Sequence, residues 1–156
     1  MTASAAVPLF EPRDPNFERR VRDSFARQRI MSLIGAEMLA VRPGQVEIAL
    51  AYRPDLTQQH GYLHGGLVGM IADSAAGYAA NTLTAADIGV LTVEYKINLV
   101  APASGERLIS RGEVVRPGRT LLITRADVFS VRDGEETLCA VMQQTIMAVP
   151  GLTETG

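Results

Sequence analysis

Gly66-Leu67-Val68-Gly69-Met70-Ile71-Ala72-Asp73-Ser74-Ala75-Ala76-Gly77-Tyr78-Ala79-Ala80 is the stretch that decides the fold. It is apolar or small on nearly every face, so a helix formed from it has no side to give to water and must be enclosed. Its small residues allow other backbone to come close from several directions. Gly77 costs about 1 kcal/mol of helicity relative to Ala, a cost expected where a second backbone packs against it. Asp73 is the anomaly. Apart from Tyr78 it is the only ionisable group in the segment, and an unpaired carboxylate in such surroundings is expensive.

Working outward, the chain after this helix reads as strands only. Leu91, Val93, Tyr95, Ile97 and Leu99 alternate with Thr92, Glu94, Lys96 and Asn98, the period of a half-buried strand. Residues 106–115, 121–131 and 137–149 make three more, separated by Arg116-Pro117-Gly118-Arg119 and by Arg132-Asp133-Gly134-Glu135. Asp-Gly is a strong hairpin signal. Before the helix, residues 30–38 form an apolar turn leading into a first strand. Arg42-Pro43-Gly44-Gln45 turns the chain, and Val46, Ile48, Leu50 and Tyr52 alternate in a second strand. Residues 16–29 carry Phe17, Val21 and Phe25 four apart, an amphipathic helix. Its arginines (Arg19, Arg20, Arg22, Arg27, Arg29) are interrupted by Glu18 and Asp23, as on a solvated face. The order predicts one α+β domain over residues 16–149, an antiparallel sheet wrapped around a long central helix with an extra N-terminal helix. A loose arm (1–15) precedes it and a short tail (150–156) follows. Long strands with edges to spare predict pairing between subunits.

Bulk composition agrees with one soluble domain. The 156 residues are 47% apolar and 21% charged, enough to bury a single core. A net charge of −2, no Trp and four each of Tyr and Phe leave nucleic acid neither a basic field nor stacking platforms. Cys139 is the only cysteine, so no internal disulfide forms, and its strand position reads as a buried inert thiol. No run reaches the roughly 20 apolar residues of a membrane span, and the N-terminus lacks the pattern of a secretory signal. The expected compartment is the cytoplasm.

On residue type alone Asp73 reads equally as a structural hydrogen-bonding group or as a functional acid. The preceding Gln58-Gln59-His60-Gly61-Tyr62-Leu63-His64-Gly65-Gly66 tips the balance. Glycines at a helix start leave backbone N–H groups accessible, and those of the first turn have no intrahelical partner. They can face an oxygen on which negative charge develops. His60 and His64 stand four apart, but Gly61 and the glycine pair break any helix there, and no further ligand completes a tetrahedral zinc site. No metal is expected. Ser74 adjoins Asp73 on the helix and projects about 100° away from it, so no triad forms there.

These residues resemble the hot-dog-fold acyl-CoA thioesterases of the phenylacetic-acid-degradation, or PaaI-like, group. Members carry His-Gly-Gly at the start of the central helix, here His64, Gly65 and Gly66, an acid seven positions after the second glycine, here Asp73, and Asn or Gln six before the His, here Gln58. Segments 89–95, 101–103 and 114–120 also look like family segments, and the likeness spans roughly residues 31–149. It implies a homo-oligomer with a dimer as the minimal active unit and a tetramer as the expected assembly. The Gly65 N–H, with Gly66, polarises the thioester carbonyl. Asp73, reaching in from the opposite subunit, acts as base toward water or as a nucleophile. Gln58 and His64 orient the substrate, and Thr92 holds the attacking water. Arg116 and Arg119, beside Gly118, contact CoA phosphates. From the residues alone Thr92 suits solvent as well as a site, and turn arginines are usually just solvated, although two guanidinium groups beside a glycine suit phosphate. No cofactor is implied, since CoA belongs to the substrate. The acyl group expected is aryl or medium-chain. Two other readings stand beside this one: an enoyl-CoA hydratase or dehydratase of the same fold, and a non-catalytic acyl-CoA-binding protein.

Overall fold

A helix with no polar side needs strands around it, and the computed structural model, which describes residues 10–152, supplies them. Residues 1–9 of the expected arm and 153–156 of the expected tail lie outside the described residues. In chain order the elements are α1 (Phe17–Arg27), α2 (Arg29–Ile34), β1 (Ala36–Arg42), β2 (Gln45–Ala51), α3 (Gly65–Asn81), β3 (Ile88–Leu99), β4 (Arg107–Pro117), β5 (Leu121–Arg132) and β6 (Glu135–Pro150), with one 3-10 turn at Pro54–Leu56. The strands form one sheet in the order β1-β2-β4-β5-β6-β3, antiparallel at every pairing. The α3 helix packs across β2, β4, β5, β3 and β6. This is the hot-dog arrangement.

Val68, Ile71, Ala72, Ala75, Ala76 and Ala79 of α3 are all buried, and each large aliphatic among them contributes about 1.5–3 kcal/mol. Helix and sheet approach most closely at Gly112 of β4. A Cβ there would lie 2.3 Å from the Ala75 backbone carbon, so only glycine fits. Gly77 is the contrary case. No described residue lies within 4 Å of where its Cβ would be. The close backbone approach that its presence predicts therefore falls at Gly112, and Gly77 opens onto a cavity instead.

The apolar segment before β1 is more than a turn. It forms the short helix α2, ended by Gly35 in the left-handed region at φ 76°, where glycine carries no Cβ penalty. Residues 10–15, expected in the arm, lie against the domain. Phe10 covers Gly44, and Asp14 is buried. The Arg20 side chain, expected in solvent, is only 10% exposed. It donates from Nε to Asp14 at 2.8 Å, from Nη1 to the Asn81 side chain at 2.6 Å, and from Nη2 to the Asn81 and Thr84 carbonyls at 3.2 and 3.0 Å. The guanidinium thus caps the carbonyl end of α3, where a cation is favoured, and pins α1 to it. Further along, Ser24 and Tyr78 hydroxyls share a 3.1 Å bond, and the Phe25 and Tyr78 rings meet edge to face at 5.9 Å.

At the other edge β3 has no neighbour beyond it among the described residues. Leu91, Val93, Tyr95, Leu99 and the adjoining Val100 are exposed, an apolar edge of the kind that proteins cover. Among the described residues no helix is long and apolar enough to cross a membrane.

Candidate active site

Asp73 sits mid-helix on α3 and is held through one of its two oxygens. The Thr92 hydroxyl donates to Asp73 Oδ1 at 2.7 Å. Gln144 Nε2 donates to the same oxygen and to Thr92 Oγ1 at 3.0 Å. Behind them the Thr124 hydroxyl donates to Gln144 Oε1 at 3.1 Å, which fixes the amide with its nitrogen toward Asp73. Gln144 and Thr124 are buried, and such a chain of bonds strengthens along its length in a low-dielectric interior. Asp73 Oδ2 receives no bond from the described residues, and Asp73 and Thr92 line a cavity of about 310 Å³.

Thr92 reaches this position through a β-bulge. The β3–β6 register shifts between Thr92 and Glu94, with Thr92 opposite Ile146 and Tyr95 opposite Gln144. Ile146 and Gln144 are buried, so Thr92 shares the helix-facing side with Tyr95. Strict alternation sets Thr92 with Glu94 and Lys96 instead, and the extra residue turns it inward, a usual role of bulges beside functional sites.

The second group gathers at the start of α3. His64 is the N-cap, and its Nδ1 accepts from Gly66 N–H at 2.9 Å. A Cβ on residue 66 would fall 3.0 Å from that nitrogen. Because Nδ1 is an acceptor, a neutral ring carries its proton on Nε2. The bond also occupies Gly66 N–H, while Gly65 N–H has no acceptor among the described residues. Of the two amides expected to polarise a carbonyl, Gly65 is the open one. Gln58 folds its loop: its backbone carbonyl accepts from Gly61 N–H at 3.0 Å, and its Oε1 accepts from His60 N–H. Gln58 and Gly65 line a separate cavity of about 350 Å³. Cys139 also borders it, and burial pushes its thiol up to about 11, which keeps it protonated and unreactive at neutral pH.

The two groups do not meet within one chain. Eight helical residues separate Gly65 from Asp73, an axial rise of about 12 Å, whereas a base acts within about 3 Å of its proton or through one water. Arg116 and Arg119 are exposed and have no ion-pair partner among the described residues. Gly118 and Arg119 border a third cavity, and neither arginine lines the other two. The turn needs Gly118 for itself, since a Cβ there would lie 2.1 Å from the Leu121 carbonyl oxygen. Among the described residues no three His, Cys, Asp or Glu side chains gather as a metal site.

The sequence reading missed Gln144 and Thr124. Both carried a signal: each is polar in the inward phase of its strand, between Met142 and Ile146 and between Leu122 and Ala126.

Residues 60–137, which span the start of α3 through to β6, match the thioesterase superfamily. A thioesterase family protein from Silicibacter pomeroyi has the same fold, with a TM-score of 0.85 and 50% identity over 86% of this chain and 99% of that one. The chain belongs to the thioesterase superfamily. It is a thioester hydrolase of the hot-dog fold. The 1,4-dihydroxy-2-naphthoyl-CoA hydrolase of Listeria monocytogenes is 26% identical over 117 residues, 75% of this chain and 93% of that one. The PaaI protein of the E. coli phenylacetic acid degradation operon is 14% identical, with a TM-score of 0.78 over 87% of this chain and 95% of that one, a likeness of fold alone. Within the superfamily match lie His64, Gly65, Gly66, Asp73 and Thr92, whereas α1, α2 and Gln144 fall outside it.

Proposed function

We propose that this protein hydrolyses an aryl or medium-chain acyl-CoA to the free acid and CoA, at a site built by two chains. The observation that carries the reading is the asymmetry of Asp73, a side chain that lines a cavity: one oxygen is tied to Thr92 and Gln144, and the other receives no bond from the described residues. A carboxylate so held is aimed, and its open oxygen can take a proton from water. Thr92 Oγ1 donates to Asp73 and accepts from Gln144, and its second lone pair remains for the same water. This favours Asp73 as base over Asp73 as nucleophile.

The water oxygen attacks the thioester carbonyl carbon while Asp73 Oδ2 takes a water proton. Gly65 N–H of the other chain, open at the helix start, stabilises the oxyanion. The C–S bond then breaks, and the thiolate leaves with the proton that Asp73 held. His64 Nε2–H and the Gln58 amide nitrogen are donors near Gly65 that orient the thioester. Arg116 and Arg119 supply unpaired guanidinium groups for CoA phosphates. The bare apolar edge of β3 is the surface through which two chains pair.

A chromogenic thiol assay over a panel of aryl and alkyl acyl-CoAs tests this. The expected result is release of free CoA from aryl or medium-chain members. Absence of release across the panel, with hydration of an enoyl-CoA in its place, would refute it.

A further inference from the structure

We infer that Leu152, turned back from the end of β6, is the end wall of the cavity beside Asp73 and sets the length of acyl group that this enzyme accepts. The inference rests on the thioesterase reading of Asp73 and deepens it to the choice of substrate.

The cavity has a direction. Asp73 and Thr92 line it, and so do Gly77 and Asn81 of α3, Val90 of β3 and Leu152. Asn81 lies two helical turns past Asp73, about 12 Å along α3. On the strand the order runs the other way. Val90 precedes Thr92, and Leu152 lies against Gly89, which precedes Val90. The cavity therefore extends from the carboxylate toward the C-terminal end of α3. Leu152 stands at its far end, about 10 Å from Thr92 at the rise of an extended strand. Gly77 leaves the way between them open, since no described residue stands within 4 Å of its Cβ position.

A built turn holds Leu152 there. β6 ends at Pro150, and Gly151 then takes φ 78°, a left-handed conformation that favours glycine. The Gly151 N–H donates to the Asp87 carbonyl at 2.9 Å, and the Leu152 N–H donates to the Val149 carbonyl at 3.3 Å. Gly89 makes the place where the leucine rests. A Cβ on residue 89 would fall 2.3 Å from the Leu152 carbonyl oxygen and 3.0 Å from its Cγ, so a larger residue there pushes Leu152 away. Two glycines and two backbone bonds thus fix one side chain at the cavity.

Leu152 is also the aliphatic wall that can change size without disturbing the core. Ile146, which lines the same cavity, is fully buried, whereas Leu152 is 41% exposed. A methylene more or less at such a wall changes kcat/KM by about tenfold or more. Leu152 lies beyond residues 60–137, the part matched to the superfamily, so the family likeness does not assign it.

The experiment measures kcat/KM by thiol release over two graded series, saturated acyl-CoAs from butanoyl to dodecanoyl and aryl-CoAs from benzoyl to phenylbutanoyl. Leu152→Ala is expected to move the optimum toward longer members, with the ratio of longer to shorter substrates rising about tenfold. Leu152→Trp is expected to move it toward shorter members by a similar factor. Both variants are expected to melt as wild type does. Gly89→Ala displaces the leucine and is expected to shift the profile as Leu152→Ala does. An optimum that stays put in both Leu152 variants, or moves the same way in both, would overturn the inference while leaving thioester hydrolysis intact. So would a Gly89→Ala protein with wild-type melting and a wild-type profile. No thiol release from any substrate would overturn both readings.

Discussion

Asp73→Asn is expected to lower thiol release by about 10²–10⁴-fold, the usual contribution of a positioned acid or base, with the melting temperature little changed. Asn has the same shape as Asp. Its carbonyl oxygen can still accept from Thr92 and Gln144, so the buried chain from Thr124 onward keeps its order. What disappears is the basicity of the open oxygen. An amide does not take a proton from water, and the attack on the carbonyl loses its base. Side-by-side kinetics and thermal melts of the two proteins measure both halves of this expectation. Activity within tenfold of wild type would remove Asp73 from the reaction. A collapse of stability together with activity would make it a structural group.

Arg20→Met is expected to destabilise the fold by about 3–5 kcal/mol, the cost of stranding one partner of a buried ion pair. The side chains of Arg20 and Asp14 are 10% and 8% exposed. The substitution keeps the aliphatic stem but leaves Asp14 without its cation and the Asn81 and Thr84 carbonyls without their donor. At about 2–4 °C per kcal/mol for a domain of this size, the melting temperature falls by roughly 10 °C. The pair also carries an acid dependence. Asn16 N–H and then Arg20 hold the Asp14 carboxyl below the usual carboxylate range. A depressed folded-state value stabilises the protein above the ordinary carboxylate pKa, and that stabilisation fades as pH falls from about 4 toward the folded value. Wild type therefore loses stability over that window, and Asp14→Asn lacks this component of the loss. Melting curves from pH 7 to pH 3 measure it. An unchanged melt for Arg20→Met would mean that α1 is held by its apolar contacts alone.

The central helix was legible because its residues leave it no exposed face. Asp73 was legible because nothing else charged lies near it in sequence. Gly65 and Gly66 could be read as a pair of donors, but not that the His64 ring takes the second of them. Thr92 was ambiguous for a physical reason: period-two reasoning cannot see an inserted residue, and the bulge beside it reverses its face. Gln144 was overlooked although its phase was right, because a lone polar residue inside a long strand looks like a tolerated exception until its partners are known. Arg20 sat among other arginines that carry the same sequence signal, and only the fold shows which one finds Asp14 and the end of α3. The cavity beside Asp73 could not be read at all. It is assembled from α1, α3, β3, β6 and Leu152, segments that periodicity treats separately.

The claim on which the account depends is that Asp73 of one chain and Gly65 N–H of another serve a single thioester. Gly65 is the first residue of α3, where proline fits and removes only the N–H. His64 before it is already extended, with φ −60° and ψ 136°, as a residue preceding proline must be. A Cβ at this position meets only the flexible tip of Leu99 among the described residues. The decisive measurement is thiol release from dissociated and reassociated mixtures of Asp73→Asn and Gly65→Pro, each inactive alone. Mixed dimers contain one intact site of two, so random pairing restores about a quarter of wild-type activity if the two groups act across chains. Mixed dimers that form, by native mass measurement, yet release no thiol would contradict the account.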